Sequence, residues 1–152
     1  MAPARVVIGI GNPACGDDGA GRLAARLLRG CVPPGVLVTE QDGEATALIE
    51  CLRDAGSVWL IDAASSGAPV GSIRRVDCVR DDALPVKARA SSHGFGVADA
   101  VSLARVLGVL PGLCTLYTIE GVAFNPGATM SAPVRRGVDA VVAIVAAELA
   151  SA

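Results

Sequence analysis

The sequence predicts an α/β sandwich, a mostly parallel sheet with helices on both faces. Two observations carry that expectation. Short β-branched runs alternate with amphipathic stretches from one end of the chain to the other. Two of those runs, Arg5 to Ile10 and Ser57 to Ile61, are almost wholly apolar, as strands buried on both faces are.

Arg5 to Ile10 reads as the first strand, ending in a glycine-rich turn. Gly19 to Arg29 reads as a helix, with Leu23, Leu27 and Leu28 on one face and Arg22, Arg26 and Arg29 on the other. Cys31-Val32-Pro33-Pro34-Gly35 breaks it. Val36 to Glu40 is a second strand. Glu44 to Ala55 is a second helix, with Ala45, Leu48, Ile49 and Leu52 at helical spacing and Gly56 as its cap. Ser57 to Ile61 is a third strand, central by its apolarity. Gly71 to Val79 alternates and reads as an edge strand. Asp81 to Ala90 reads as a loop, Gly96 to Leu107 as a helix and Leu113 to Ile119 as a strand. After the Gly- and Pro-containing loop from Glu120 to Met130, Ser131 is placed to N-cap a closing helix that runs to about Ala150, with Pro133 in its first turn.

The 152 residues suit one domain, 1–152, large enough to bury a core. No repeat or linker divides them. The formal net charge is -2, which argues against a nucleic-acid footprint. No run reaches the roughly 18 apolar residues of a membrane span, and the longest candidate, Val138 to Ala150, contains Asp139 and Glu148. No secretory h-region is recognisable near Arg5. The expectation is a soluble, cytoplasmic protein. Five scattered cysteines without a C-x-x-C pair read as reduced thiols in the core, not as a zinc ribbon or a disulfide framework. Cys15 stands apart because it neighbours Asp17 and Asp18.

Gly9-Ile10-Gly11-Asn12-Pro13-Ala14 matches G-x-G-x-x-A directly after a strand, a dinucleotide fingerprint. Asp17 and Asp18 would repel a pyrophosphate there, and Pro13 removes a backbone donor. Glu40 lies further along than the ribose-binding acid of that motif. The same loop suits a metal better. Asp17 or Asp18 projects from it, Asp62 closes the third strand, and the only histidine, His93, stands in Ser91-Ser92-His93-Gly94-Phe95-Gly96. Carboxylates and imidazole together accept a divalent cation, and the carboxyl ends of parallel strands converge on one crevice. Each residue also has a plainer explanation: Asp17 and Asp18 as first-turn acids of a helix, Asp62 as a turn former. A Ser-His-Asp triad has no G-x-S-x-G elbow to support it, and a Cys15-His93-Asp62 arrangement has no motif behind it.

Taken together, Gly9-Ile10-Gly11-Asn12 with Gly16-Asp17-Asp18-Gly19-Ala20-Gly21, then Ile61-Asp62-Ala63, Ser91-Ser92-His93-Gly94-Phe95-Gly96, Ile119-Glu120-Gly121 and Ser131-Ala132-Pro133-Val134 resemble the [NiFe]-hydrogenase maturation proteases. The resemblance spans nearly the whole chain. It implies a three-layer sandwich with a twisted five-stranded sheet. It implies an endopeptidase that removes the C-terminal extension of a [NiFe]-hydrogenase large-subunit precursor after nickel insertion, and that precursor as its partner. It implies Asp18, Asp62 and His93 as metal-binding and catalytic residues. The nickel is expected to come with the precursor, with zinc or cadmium able to take the same site in vitro. Two carboxylates and one imidazole hold nickel weakly, which suits a site completed by the client's cysteines. Asp17 or Glu120 is then the candidate general base or a supporting acceptor. Two other classes remain open: a non-catalytic metal-sensing factor that binds the precursor, and a small dinucleotide-binding module. Purified protein cleaving purified precursor separates the first of these from a protease.

Overall fold

The computed structural model describes residues 4–81 and 96–151. Among the described residues five strands are present: β1 (Ala4–Ile10), β2 (Val36–Gln41), β3 (Ala55–Ala64), β4 (Ile73–Asp77) and β5 (Leu113–Glu120). Four helices accompany them: α1 (Ala20–Leu28), α2 (Ala45–Arg53), α3 (Val97–Val106) and α4 (Ala132–Ser151). The strands form one sheet in the order β2-β1-β3-β5-β4. All neighbours are parallel except β4, which runs antiparallel to β5.

The alternation of side chains along each strand divides the interior into two cores. On one face Ile8, Ile10, Val58, Leu60, Val76 and Leu116 pack against Leu48 and Leu52 of α2 and Ala100, Val101 and Ala104 of α3. On the other, Val7, Trp59, Ile61, Tyr117 and Ile119 pack against Ala24 and Leu28 of α1 and Val138, Val141 and Val145 of α4. This is the three-layer α/β sandwich expected from the sequence. A polar cluster ties α4 to its side of the sheet. Trp59 Nε1 donates to Glu148 at 2.9 Å, the Tyr117 hydroxyl donates to the same carboxylate, and Arg75 Nε donates to the Tyr117 oxygen at 3.1 Å.

Several boundaries depart from the sequence reading. β3 begins at Ala55, so Gly56 lies inside a strand and does not cap α2, whose C-cap is Asp54. Glu44 instead caps the start of α2, accepting from the N–H groups of Thr46 and Ala47 at 2.9 Å each. A four-residue 3-10 turn, Gly16–Gly19, precedes α1 and carries both acids of the first loop. β3 runs on to Ala64, which places Asp62 within the strand, paired in register with Thr118 of β5. The extension of β3 at both ends follows from pairing with β1 and β5, which outweighs local turn propensity.

α1 lies close against the sheet. A Cβ on Gly21 would fall on the carbonyl oxygens of Ile10 and Ile61, so only glycine lets the helix start over the ends of β1 and β3. No helix among the described residues is long and apolar enough to cross a membrane.

Candidate functional site

The chain leaves β1 toward β2 on one side and returns to β3 on the other. The carboxyl ends of β1 and β3 therefore flank the switch point of the sheet, where α/β proteins hold their ligands. The 3-10 turn that follows β1 packs against β3. Asp18 and Asp62 are thereby brought to the same end of the sheet from segments 44 positions apart in sequence.

Asp18 is half-buried. Its Oδ2 accepts the Asn12 N–H at 2.9 Å. That bond needs Gly11, which has φ +138, a region closed to most side chains, and a Cβ there would collide with the Asp18 carbonyl oxygen. Asp62 is 3% exposed, and its Oδ1 accepts the N–H of Ala63 at 2.8 Å. Strand alternation puts it on the α2/α3 face with Val58 and Leu60. α3, which packs on that face, begins four positions after His93 in the sequence. His93 itself lies outside the described residues. Among those that are described, no group of three His, Cys, Asp or Glu side chains is placed to hold a metal ion.

Asp17 has a different environment from its neighbour. It is fully buried, and its carboxylate accepts four hydrogen bonds. Oδ2 takes the N–H groups of Val122 and Ala123 at 2.9 Å each and the Ser131 hydroxyl at 2.7 Å; Oδ1 takes the Ser131 N–H at 2.7 Å. In return the Asp17 N–H donates to the Ala123 carbonyl at 2.7 Å. Burial alone would raise its pKa, but the bonds from Val122, Ala123 and Ser131 outweigh it and hold the carboxyl below its ordinary value. Through these bonds Asp17 anchors the 121–131 loop to the turn that carries Asp18. Ser131 stands at the start of α4 as expected, but its hydroxyl serves Asp17 instead of the helix.

Glu120 is committed in the same way. It is 5% exposed; Oε2 accepts the N–H groups of Ser66 at 2.8 Å and Gly67 at 3.3 Å, and Oε1 the Ser66 hydroxyl at 2.6 Å. It clasps the loop after β3 to the end of β5. These two buried acids thus hold the loops at the carboxyl end of the sheet. Sequence reading singled out Asp17 and Glu120 but gave no sign of their partners Ser66, Val122 and Ala123, because those contacts are backbone or loop contacts between distant segments.

Glu40, weighed from sequence as a ribose-binding acid, is occupied by three arginines. Arg22 Nε, Arg26 Nε and Arg29 Nη1 approach it at 3.1, 2.9 and 2.7 Å. Burial raises its pKa and the three guanidiniums more than offset that, so it stays ionised and paired. Cys15 is half-buried as a free thiol at the start of the 3-10 turn.

The sequence profile of the HycI family, described as hydrogenase maturation protease, matches residues 22–148. Hydrogenase expression/formation protein HupM of Azotobacter chroococcum mcd 1 is 28% identical over 155 residues, covering 98% of this chain and 73% of its own length. Hydrogenase expression/formation protein HoxM of Azotobacter vinelandii is 29% identical over 140 residues, covering 88% of this chain and 66% of its own. The chain thus spans about two thirds to three quarters of the length of these two relatives. Among solved structures, the hydrogenase maturating endopeptidase HybD from E. coli superposes with a TM-score of 0.76 at 20% identity, covering 97% of this chain and 93% of that one. The [NiFe] hydrogenase maturation protease HycI from Thermococcus kodakarensis KOD1 gives 0.73 at 21% identity, with coverage of 98% and 94%. These structural likenesses show the same fold.

Proposed function

We propose, from the premise that the chain belongs to the hydrogenase maturation protease family, that it removes the C-terminal extension of a [NiFe]-hydrogenase large-subunit precursor once nickel is in place. Family membership makes the protein an endopeptidase that processes a hydrogenase large-subunit precursor. The family does not favour the non-catalytic sensor or the dinucleotide module, and the pairing of Glu40 with three arginines also speaks against the latter.

Asp18, Asp62 and His93 are the proposed catalytic and metal-contacting residues. The observation that supports this is the delivery of two carboxylates to the switch point of the sheet, from the turn after β1 and from within β3. Their oxygens suit a divalent cation, and His93 would add an imidazole donor. Nickel here is part of the substrate, carried by the precursor; a metal in such a position polarises the scissile carbonyl and acidifies a bound water. The residues of the chain itself supply the frame. Asn12 orients Asp18 through its N–H, Asp17 fixes the 121–131 loop against the turn that bears Asp18, and Glu120 fixes the loop after β3.

The test is incubation of the protein with precursor, nickel-loaded and nickel-free, reading product mass. Loss of a C-terminal peptide from the loaded form alone is expected. Asp18→Asn, Asp62→Asn and His93→Ala should each lower that cleavage by about 100-fold or more while keeping the folded circular dichroism. Enzyme stripped with a chelator should cleave loaded precursor as well as untreated enzyme, since the nickel comes with the substrate. Zinc or cadmium binding to the free protein should be lost in the same three variants. Normal processing by any of the three would remove that residue from the site.

A further inference from the structure

One side of α1 and its C-cap, lying over the edge strand β2, carries Arg22, Arg26 and Arg29 at i, i+4 and i+7, a row of about 10 Å along the helix. Neither α1 nor the adjacent strand β2 holds any acid other than Glu40. All three guanidiniums converge on that one carboxylate, which is 12% exposed, while Arg26 and Arg29 remain 50% and 48% exposed. One carboxylate neutralises one of three cations, so the patch keeps a net positive charge on a chain whose overall charge is -2. Glu40 also fixes the three side chains in place, which removes much of the ordering cost that a flexible arginine meets on binding. Each guanidinium has five N–H donors in a planar fork. Among the described residues Arg26 spends one of them and Arg29 one.

The position of the row gives it a function. Arg22 reaches the Gly11 carbonyl oxygen at 3.5 Å, in the turn that leads to Asp18. The row therefore starts at the rim of the candidate crevice and leads away from it along α1. An extended peptide covers 10 Å with about three residues.

We propose that Arg26 and Arg29, set by Glu40, form a docking surface for an acidic stretch of the precursor that lies a few residues from the cleaved bond. This rests on the endopeptidase reading above and adds to it what the substrate must present. Carboxylates of that stretch pair with the outward N–H groups, and the interaction steers the encounter and fixes register more than it adds raw affinity.

The experiment compares wild type, R26A/R29A and R26E/R29E with R53E/R136E, which makes the same charge change elsewhere on the surface. Binding of nickel-loaded precursor is measured at low and high salt, alongside its cleavage. Arg22 still pairs with Glu40 in every variant, and circular dichroism checks the fold. The expected order of precursor affinity at low salt is wild type, then R26A/R29A, then R26E/R29E, with at least about a tenfold span. The loss should fall on KM and not on kcat, and high salt should close the gap. R53E/R136E should bind like wild type. A flat series, or an equal loss in R53E/R136E, overturns the proposal. Should wild type bind the precursor without cleaving it, the endopeptidase reading falls, and the binding series still decides the docking surface. Competition by an oligonucleotide as effective as that by an acidic peptide would also count against a protein-specific surface.

Discussion

Asp17 accepts both the backbone N–H and the hydroxyl of Ser131, each at 2.7 Å, across 114 positions of sequence. This pair joins the turn that carries Asp18 to the first residue before α4. Two further N–H groups, from Val122 and Ala123, complete the carboxylate's partners. A buried charge with one donor would be costly; with four it becomes a clamp.

Asp17→Asn should therefore destabilise the fold by about 2–4 kcal/mol, because an amide offers one acceptor oxygen and turns N–H groups toward other N–H donors. Ser131→Ala removes only the hydroxyl bond and should cost about 1–2 kcal/mol. Urea unfolding followed by the single tryptophan, Trp59, measures both. Equal stability of wild type and Asp17→Asn would show that the clamp contributes nothing.

The same carboxylate sets an acid limit. Its pKa in the folded protein lies below the ordinary value of 3.8, despite burial, through bonds from Val122, Ala123 and Ser131. A depressed folded pKa contributes stability that is complete above the unfolded value and is lost as pH falls through the folded one. The stability gap between wild type and Asp17→Asn should hold steady near neutrality and shrink below about pH 4. Unfolding midpoints at a series of acidic pH values give the comparison; a gap that does not narrow would contradict the assignment.

Tyr117 offers a limit at the opposite end. Burial first, and then its bond to Glu148, push its phenol up to about 12. As the only tyrosine it can be titrated by ultraviolet difference spectra without ambiguity. The phenolate should emerge only near pH 12 in the folded protein. The stability linked to it is complete below the ordinary tyrosine value of 10.0 and is lost above it, as pH rises toward the folded value. Glu148→Gln should bring the titration down toward ordinary tyrosine.

Glu120 and Asp62 sit on neighbouring strands, yet they should separate cleanly on substitution. Glu120→Gln loosens the clasp on Ser66 and Gly67 and should lower stability by about 1–3 kcal/mol, with precursor cleavage reduced by no more than about tenfold at a temperature where the protein is folded. Asp62→Asn should do the reverse, removing cleavage with a smaller change in stability. Single-turnover cleavage beside urea unfolding reads both. Complete loss of cleavage in a folded Glu120→Gln would return Glu120 to the chemistry.

Much of this molecule was legible in the chain itself. The β-branched runs and helical spacings such as that of Leu48, Ile49 and Leu52 placed the strands and α-helices of the described residues, because burial on a sheet face imposes period 2 and packing on one side of a helix imposes period 3.6. The acids of the first loop and of β3 stood out by their position after apolar runs. What the sequence by itself determined was therefore the layers of the sandwich and the candidates at its carboxyl end. Only the tertiary structure decided which acids are engaged as clamps. Asp17 and Asp18 are adjacent and chemically identical, yet the 3-10 turn points one into the 121–131 loop and gives the other to Asn12 at the rim of the crevice. Hydrogen bonds between segments so far apart leave no periodic trace, since they depend on where two loops meet and not on the spacing of residues along either one.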